Sequence, residues 1–259
     1  IINAGSITTT GANSPGIRLV NARNTDNISN TGSISSATSD GISVTGAANI
    51  TNSGSISGAV NAVNFNNATS NTNSNTLTLQ AGSVISGNLA FSSTKTSETL
   101  VFDGLNNSNF SNGVTGANII KAINGAAVTM NSANGYSLGT GQVNVDGTSA
   151  LTIAGVIQDG AIQTSLNKSG SGNLTLSGAN TYSGGTTVSA GTLIGSTTSL
   201  QGAINNNAAV QFNQNTDGTY AGVMSGTGTL TKLGSGTVTL SGVNTYSGGT
   251  TISAGGIAV

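Results

Sequence analysis

The sequence predicts an all-β solenoid: a right-handed, three-sided parallel β-helix of about ten to thirteen turns at ~4.8 Å per turn. Three observations carry this expectation. First, only 5% of the 259 residues are charged, against about 25% in ordinary globular domains, and 35% are hydrophobic. Disorder goes with high net charge and little β-branching, but here the net charge is -1 and Thr, Val and Ile recur throughout. The chain therefore folds around a thin core, which suits a narrow coil stabilised by stacking each turn on its neighbours. Second, laying Lys168 to Ile194 over Lys232 to Ala258, an offset of 64, gives 19 identities in 27 ungapped positions. Third, a looser unit, Asn-x-Gly-Ser-Ile, begins at Asn3, Asn30 and Asn52, with its glycines 27 and 22 residues apart.

Residues 1–104 read as N-terminal turns built on this looser unit. Between its copies lie Gly16-Ile17-Arg18-Leu19 and Gly41-Ile42-Ser43-Val44, short β runs whose alternate residues can point inward. The segment from Gln80 to Leu89 continues the pattern, and the segment from Glu98 to Gly104 closes it with the most apolar strand. Residues 105–167 repeat less clearly, and 168–259 hold the duplicated module. The three regions form one continuous solenoid. In the first module copy, alternating runs at 173–177 and 186–190 flank a turn-rich stretch, 178–185, and a third run at 192–194 follows the corner Ala190-Gly191. Three strands in just under thirty residues imply about one turn of a three-sided coil per copy. Parallel strands joined by crossovers are overwhelmingly right-handed, hence the hand.

Several function classes are disfavoured. Cys and His are absent, which removes thiolate metal sites and the usual catalytic base, and no cofactor is expected. Six Lys+Arg scattered singly, with 3% aromatics, offer neither a phosphate-binding stripe nor a stacking platform, so no nucleic acid is expected. No apolar run reaches the roughly 18 residues of a membrane span, and the first residues lack the pattern of a secretory leader, so the chain reads as an internal fragment. Carboxylate pairs could hydrolyse glycosides; Glu98 with Asp103 is closest in sequence, then Asp146 with Asp159, and a separation beyond about 10 Å would end the idea. Solvated charges near corners are the simpler account. The turns Tyr182-Ser183-Gly184-Gly185 and Tyr246-Ser247-Gly248-Gly249 lack the Lys-Ser/Thr of a phosphate loop and the Asp of a calcium nonapeptide. Their glycines are expected to turn corners, with Tyr182 and Tyr246 covering the core edge or stacking in equivalent positions. Lys168 and Lys232 are expected as exposed corner residues. The Asn-rich stretch 64–75 reads as a projecting loop, an inward asparagine ladder or a spacer. An ice-binding face would need a regular Thr array, and the threonines here are interrupted.

The positions that define the module, all assigned structural roles, are Lys168, Gly172, Leu176, Gly178, Asn180, Tyr182, Gly184 and Gly185, matched by Lys232, Gly236, Leu240, Gly242, Asn244, Tyr246, Gly248 and Gly249. The Lys-x-Gly-Ser-Gly lead, the Leu-Ser-Gly-x-Asn-Thr-Tyr-Ser-Gly-Gly-Thr-Thr centre and the Ser-Ala-Gly exit make the module resemble the autotransporter-associated β-strand repeat of Gram-negative passenger domains. The second copy departs mildly at its end, with Gly255-Gly256-Ile257 where the first has Gly191-Thr192-Leu193. The resemblance implies type V secretion through a C-terminal outer-membrane barrel and display outside the cell as a β-helix. It also implies a choice of roles: a virulence-associated adhesin or self-associating filament, meeting itself or a host or abiotic surface; a passive stalk bearing a separate head; or, least favoured, a carbohydrate-active enzyme.

Overall fold

The computed structural model describes residues 1–23, 25–66, 74–92, 97–138, 141–160 and 163–259. Among them there are strands, turns and bends and no helix, and the strands stack in parallel as a β-solenoid of about ten turns. One sheet of eleven strands receives a strand from each successive turn, from Ile2–Asn3 to Met224–Ser225. Its register gives the length of each turn: 27 residues from Ile2 to Ser29, 22 from Ile28 to Ile50, and 18 from Val188 to Asn206.

The other sides divide along the axis. An eight-stranded sheet includes strands from Ser6–Thr9 to Tyr136–Ser137. A second eight-stranded sheet runs from Asn106–Phe110 to Thr250–Ile252. Gly218–Tyr220, Thr237–Leu240 and Gly256–Ala258 form a short sheet of three.

Alternation makes these segments strands. In Thr76–Gln80 the two leucines are buried while Thr76, Thr78 and Gln80 stay at the surface. Stacking turns aligns such residues into single-file columns: Ile28, Ile50, Leu77, Leu100, Ile120 and Val143 lie in register along the long sheet, all at most 1% exposed. Burying each such side chain is worth about 1.5–3 kcal/mol, so a core one residue wide per face can still offset the chain's ordering. Aromatic pairs thicken it, with Phe65 and Phe91 stacked at 5.0 Å and Phe102 edge-on to Phe110 at 5.3 Å.

The duplicated module departs from its expected one turn per copy. Asn173–Leu176 and Thr192–Gly195 pair with each other, Leu174 opposite Leu193, so they sit on one side in successive turns. Each copy spans more than a full turn. The reason is that residues 177–185 cross the remaining side without a strand, so Lys168 meets Val188 after only 20 residues.

Candidate functional site

The module's two lysines are the largest correction to the sequence expectation. Neither is an exposed corner residue; both are 0% exposed. Period-two alternation puts Lys168 on the same face as Leu166, and it stands in the inward column between Val143 and Val188. Its four-carbon stem packs there as an apolar side chain would, and its ammonium ends at the corner. Nζ donates to the carbonyl oxygens of Ser169 (2.9 Å), Gly170 (2.7 Å) and Ala190 (3.1 Å). Three donors thus meet three acceptors, two on the lysine's own corner and one on the next turn. Lys232 repeats this with Leu233 (2.6 Å), Gly234 (2.8 Å) and Ala254 (3.3 Å), adding Gln214 at 3.2 Å. Burial pushes the Lys168 ammonium down to about 8.

The rest of the motif serves the same corners. Gly191 and Gly255, of the Ser-Ala-Gly exits, have φ of +67° and +68°, and a Cβ on either would lie within 3 Å of the lysine Nζ. Gly178 and Gly242 cross the backbone of the preceding turn so closely that a Cβ would lie 2.5 Å from the carbonyl oxygens of Gly155 and Gly222. Gly172, Gly236, Gly184 and Gly248 also face the preceding turn's backbone, whereas a Cβ on Gly249 would meet nothing. Leu176 and Leu240 are core residues. Asn180 joins three turns, accepting from Ile157 N and donating to Ser199 O, both at 2.7 Å. Asn244 accepts from Met224 N but donates within its own turn, to Gly242 O. Tyr182 is buried, its Oη 2.8 Å from Thr186 Oγ1; Tyr246 is half-buried in the same relation to Thr250.

An inward asparagine ladder exists, in the Asn-x-Gly-Ser-Ile units. Asn3 Nδ2 donates to Asn30 Oδ1 (2.7 Å), and Asn30 Nδ2 to Asn52 Oδ1 (2.6 Å). Residues 67–73, most of the Asn-rich stretch in which a ladder or projecting loop was expected, lie outside the described residues. The units themselves carried the signal, because their asparagines recur in register with their isoleucines.

The carboxylates singled out by the sequence sit on separate partners, except that Asn124 links two of them, its N–H donating to Asp146 and its Nδ2 to Asp103. Glu98 and Asp103 bracket one strand, five residues and about 16 Å apart at a strand's rise. Glu98 is buried beside Asn75, while Asp103 accepts from the Gln80 and Asn124 side chains at the surface. Asp146 accepts from Asn124 N and Thr148 in a turn; the Ser149 hydroxyl first, then these contacts, hold it down to about 2. Asp159 accepts from Thr164 N and from Ser183. Among the described residues no three His, Cys, Asp or Glu side chains converge as metal ligands.

Outward the coil presents ladders of mostly uncharged residues, interrupted on the long sheet by the exposed Lys121. On the long sheet one row reads Asn27, Asn49, Thr76, Thr99, Ile119, Gln142, Asn167, Thr187, Asn205 and Ser225, each in register with the next and all but the buried Thr99 reaching the surface. Its last five members line a shallow groove of about 470 Å³ beside Gly184 and Gly185. On the second eight-stranded sheet Thr129, Thr152 and Thr175 align, but Ile194 and Gln211 then interrupt them, so no regular threonine array forms.

A family model described as the passenger-associated-transport-repeat matches residues 166–194 and 230–259, the two module copies. No curated protein and no solved structure matches the chain. The chain thus carries two passenger-associated-transport repeats, each building its lysine corner into a parallel β-solenoid, and these support an autotransporter passenger domain with repeats.

Proposed function

We propose that the chain is a surface-displayed, non-enzymatic rod that associates side by side with further copies of itself through its outward polar ladders. The observation that carries this reading is the ten-residue row from Asn27 to Ser225, which keeps register through ten of the eleven strands of the long sheet and includes one apolar residue, one buried threonine and no charge. Amides and hydroxyls both donate and accept, so the row is complementary to itself. Each contact is weak, and repetition along the axis adds them as avidity. The passenger repeats support placing the rod at the cell surface.

Sedimentation velocity over a hundredfold concentration range, at low and high salt, tests the reading. Larger species that grow with concentration and respond little to salt are expected. Removing whole turns should weaken association far more than any Thr→Ala or Asn→Ala change in the row. An elongated monomer throughout would overturn self-association and leave a passive stalk, or an adhesin for another partner.

A further inference from the structure

The two copies of the repeat do not lie on the same side of the rod. In the first, Leu166–Ser169 and Thr186–Val188 belong to the eleven-stranded sheet. Their counterparts Thr229–Leu233 and Thr250–Ile252 belong to the second eight-stranded sheet. The cause is a mismatch of periods. Three turns carry the register from Asn167 through Thr187 and Asn205 to Ser225, 58 residues on. The copies are 64 apart, and the six residues left over are close to the step from Leu166 to Asn173 on the adjoining side.

Local geometry survives this change of side. Leu166 N donates to Gly185 O, and Leu230 N to Gly249 O, both at 3.0 Å. Each lysine closes its own corner and the following one. Outside, each copy presents a similar short ladder of an amide and hydroxyls beside its Gly-Gly pair: Gln142, Asn167 and Thr187 on one side; Gln211, Thr231 and Thr251, following Ile194, on the other. Both Gln residues lie outside the duplicated segments, so the likeness of the ladders is not merely inherited from the duplication.

We infer that the repeats give the rod two equivalent association faces on adjoining sides, so that rods build an open network rather than closed pairs. This rests on the self-association proposed above. A single self-complementary face is used up when two copies meet on it, and assembly closes at a dimer. A second face leaves each dimer with free surfaces, and growth continues.

The test compares four full-length proteins by sedimentation velocity: the natural chain, Asn167→Arg with Thr187→Arg, Thr231→Arg with Thr251→Arg, and all four changes together. Like charges brought together across an interface are strongly repelled, so each pair of changes closes one face. The natural chain should grow past the dimer, each two-site variant should stop at the dimer, and the four-site variant should remain monomeric. A natural chain that stops at the dimer would overturn the two-face inference while leaving self-association intact. The inference is equally overturned if one two-site variant is monomeric and the other unchanged, or if both keep growing. A natural chain that never associates would overturn both. Circular dichroism melts check folding, and Asn205→Arg or Thr229→Arg replaces a pair that fails to fold.

Discussion

Lys168 Nζ lies 3.1 Å from the carbonyl oxygen of Ala190, a residue 22 positions later and one turn along the coil. The bond crosses between turns at a corner, where a strand ladder cannot reach. Lys168→Met keeps the packed stem but deletes all three donors, leaving three carbonyl oxygens short of a partner. Each loss costs on the order of 1 kcal/mol or more when buried, partly offset by no longer burying a charge. Urea unfolding should show Lys168→Met less stable by about 2 kcal/mol. A variant as stable as the natural chain would mean that the ammonium is only tolerated.

The same ammonium gives stability a pH dependence of unusual sign. In the folded chain Lys168 releases its proton near pH 8, whereas an unfolded lysine holds it to about pH 10.4. Between those values the unfolded state binds more protons, so stability should rise with pH, by at most about 3 kcal/mol and by less to the extent that solvent screens the ammonium. That gain is complete above the unfolded value and lost as pH falls through 8. Melts at pH 7, 9 and 10 should show the rise in the natural chain and a smaller one in Lys168→Met. Equal slopes in the two proteins would refute it.

The coil and its repeats were legible in the sequence because alternation and periodic glycine report backbone geometry directly. Turn content was not. The stretch 178–185 holds the residues of a corner yet crosses a whole side through Asn180 and Tyr182, whose partners lie on other turns or in the strand beyond. Nor was the lysine's burial inferred, because composition makes charge an exterior property. Alternation from Leu166 already placed Lys168 inward; only the converging carbonyls, set by the stacking of turns, explain why that is tolerated.

Two glycines of the second copy should respond oppositely to alanine. At Gly255 a Cβ would lie 2.6 Å from the Gly234 carbonyl oxygen and 2.9 Å from Lys232 Nζ, on a backbone at φ +68°. At Gly249 it would meet nothing within 4 Å. Gly255→Ala should therefore cost more than about 2 kcal/mol, combining backbone strain with disruption of the corner, while Gly249→Ala stays within about 0.5 kcal/mol of the natural chain. Thermal melts of the two variants decide it, and similar losses in both would contradict this account of the motif.

The asparagine ladder makes the sharpest distinction between volume and hydrogen bonding. Asn30 accepts from Asn3 and donates to Asn52 Oδ1 and the Ser55 carbonyl, with 1% of its surface exposed. Asn30→Ala takes its donor from Asn52 Oδ1 and from the Ser55 and Gly32 carbonyls, while Asn3 Nδ2 keeps the Gly5 and Ser33 carbonyls, and should cost about 2–4 kcal/mol. Asn30→Asp fills the same space and still accepts from Asn3, but its carboxylate faces three acceptors with nothing to donate. If hydrogen bonding rather than packing holds this corner, Asp is worse than Ala at neutral pH and recovers in acid as the carboxyl gains a proton. Urea melts at pH 7 and pH 4 read both effects, and an Asp variant as stable as the natural chain at pH 7 would show that the ladder contributes only its volume.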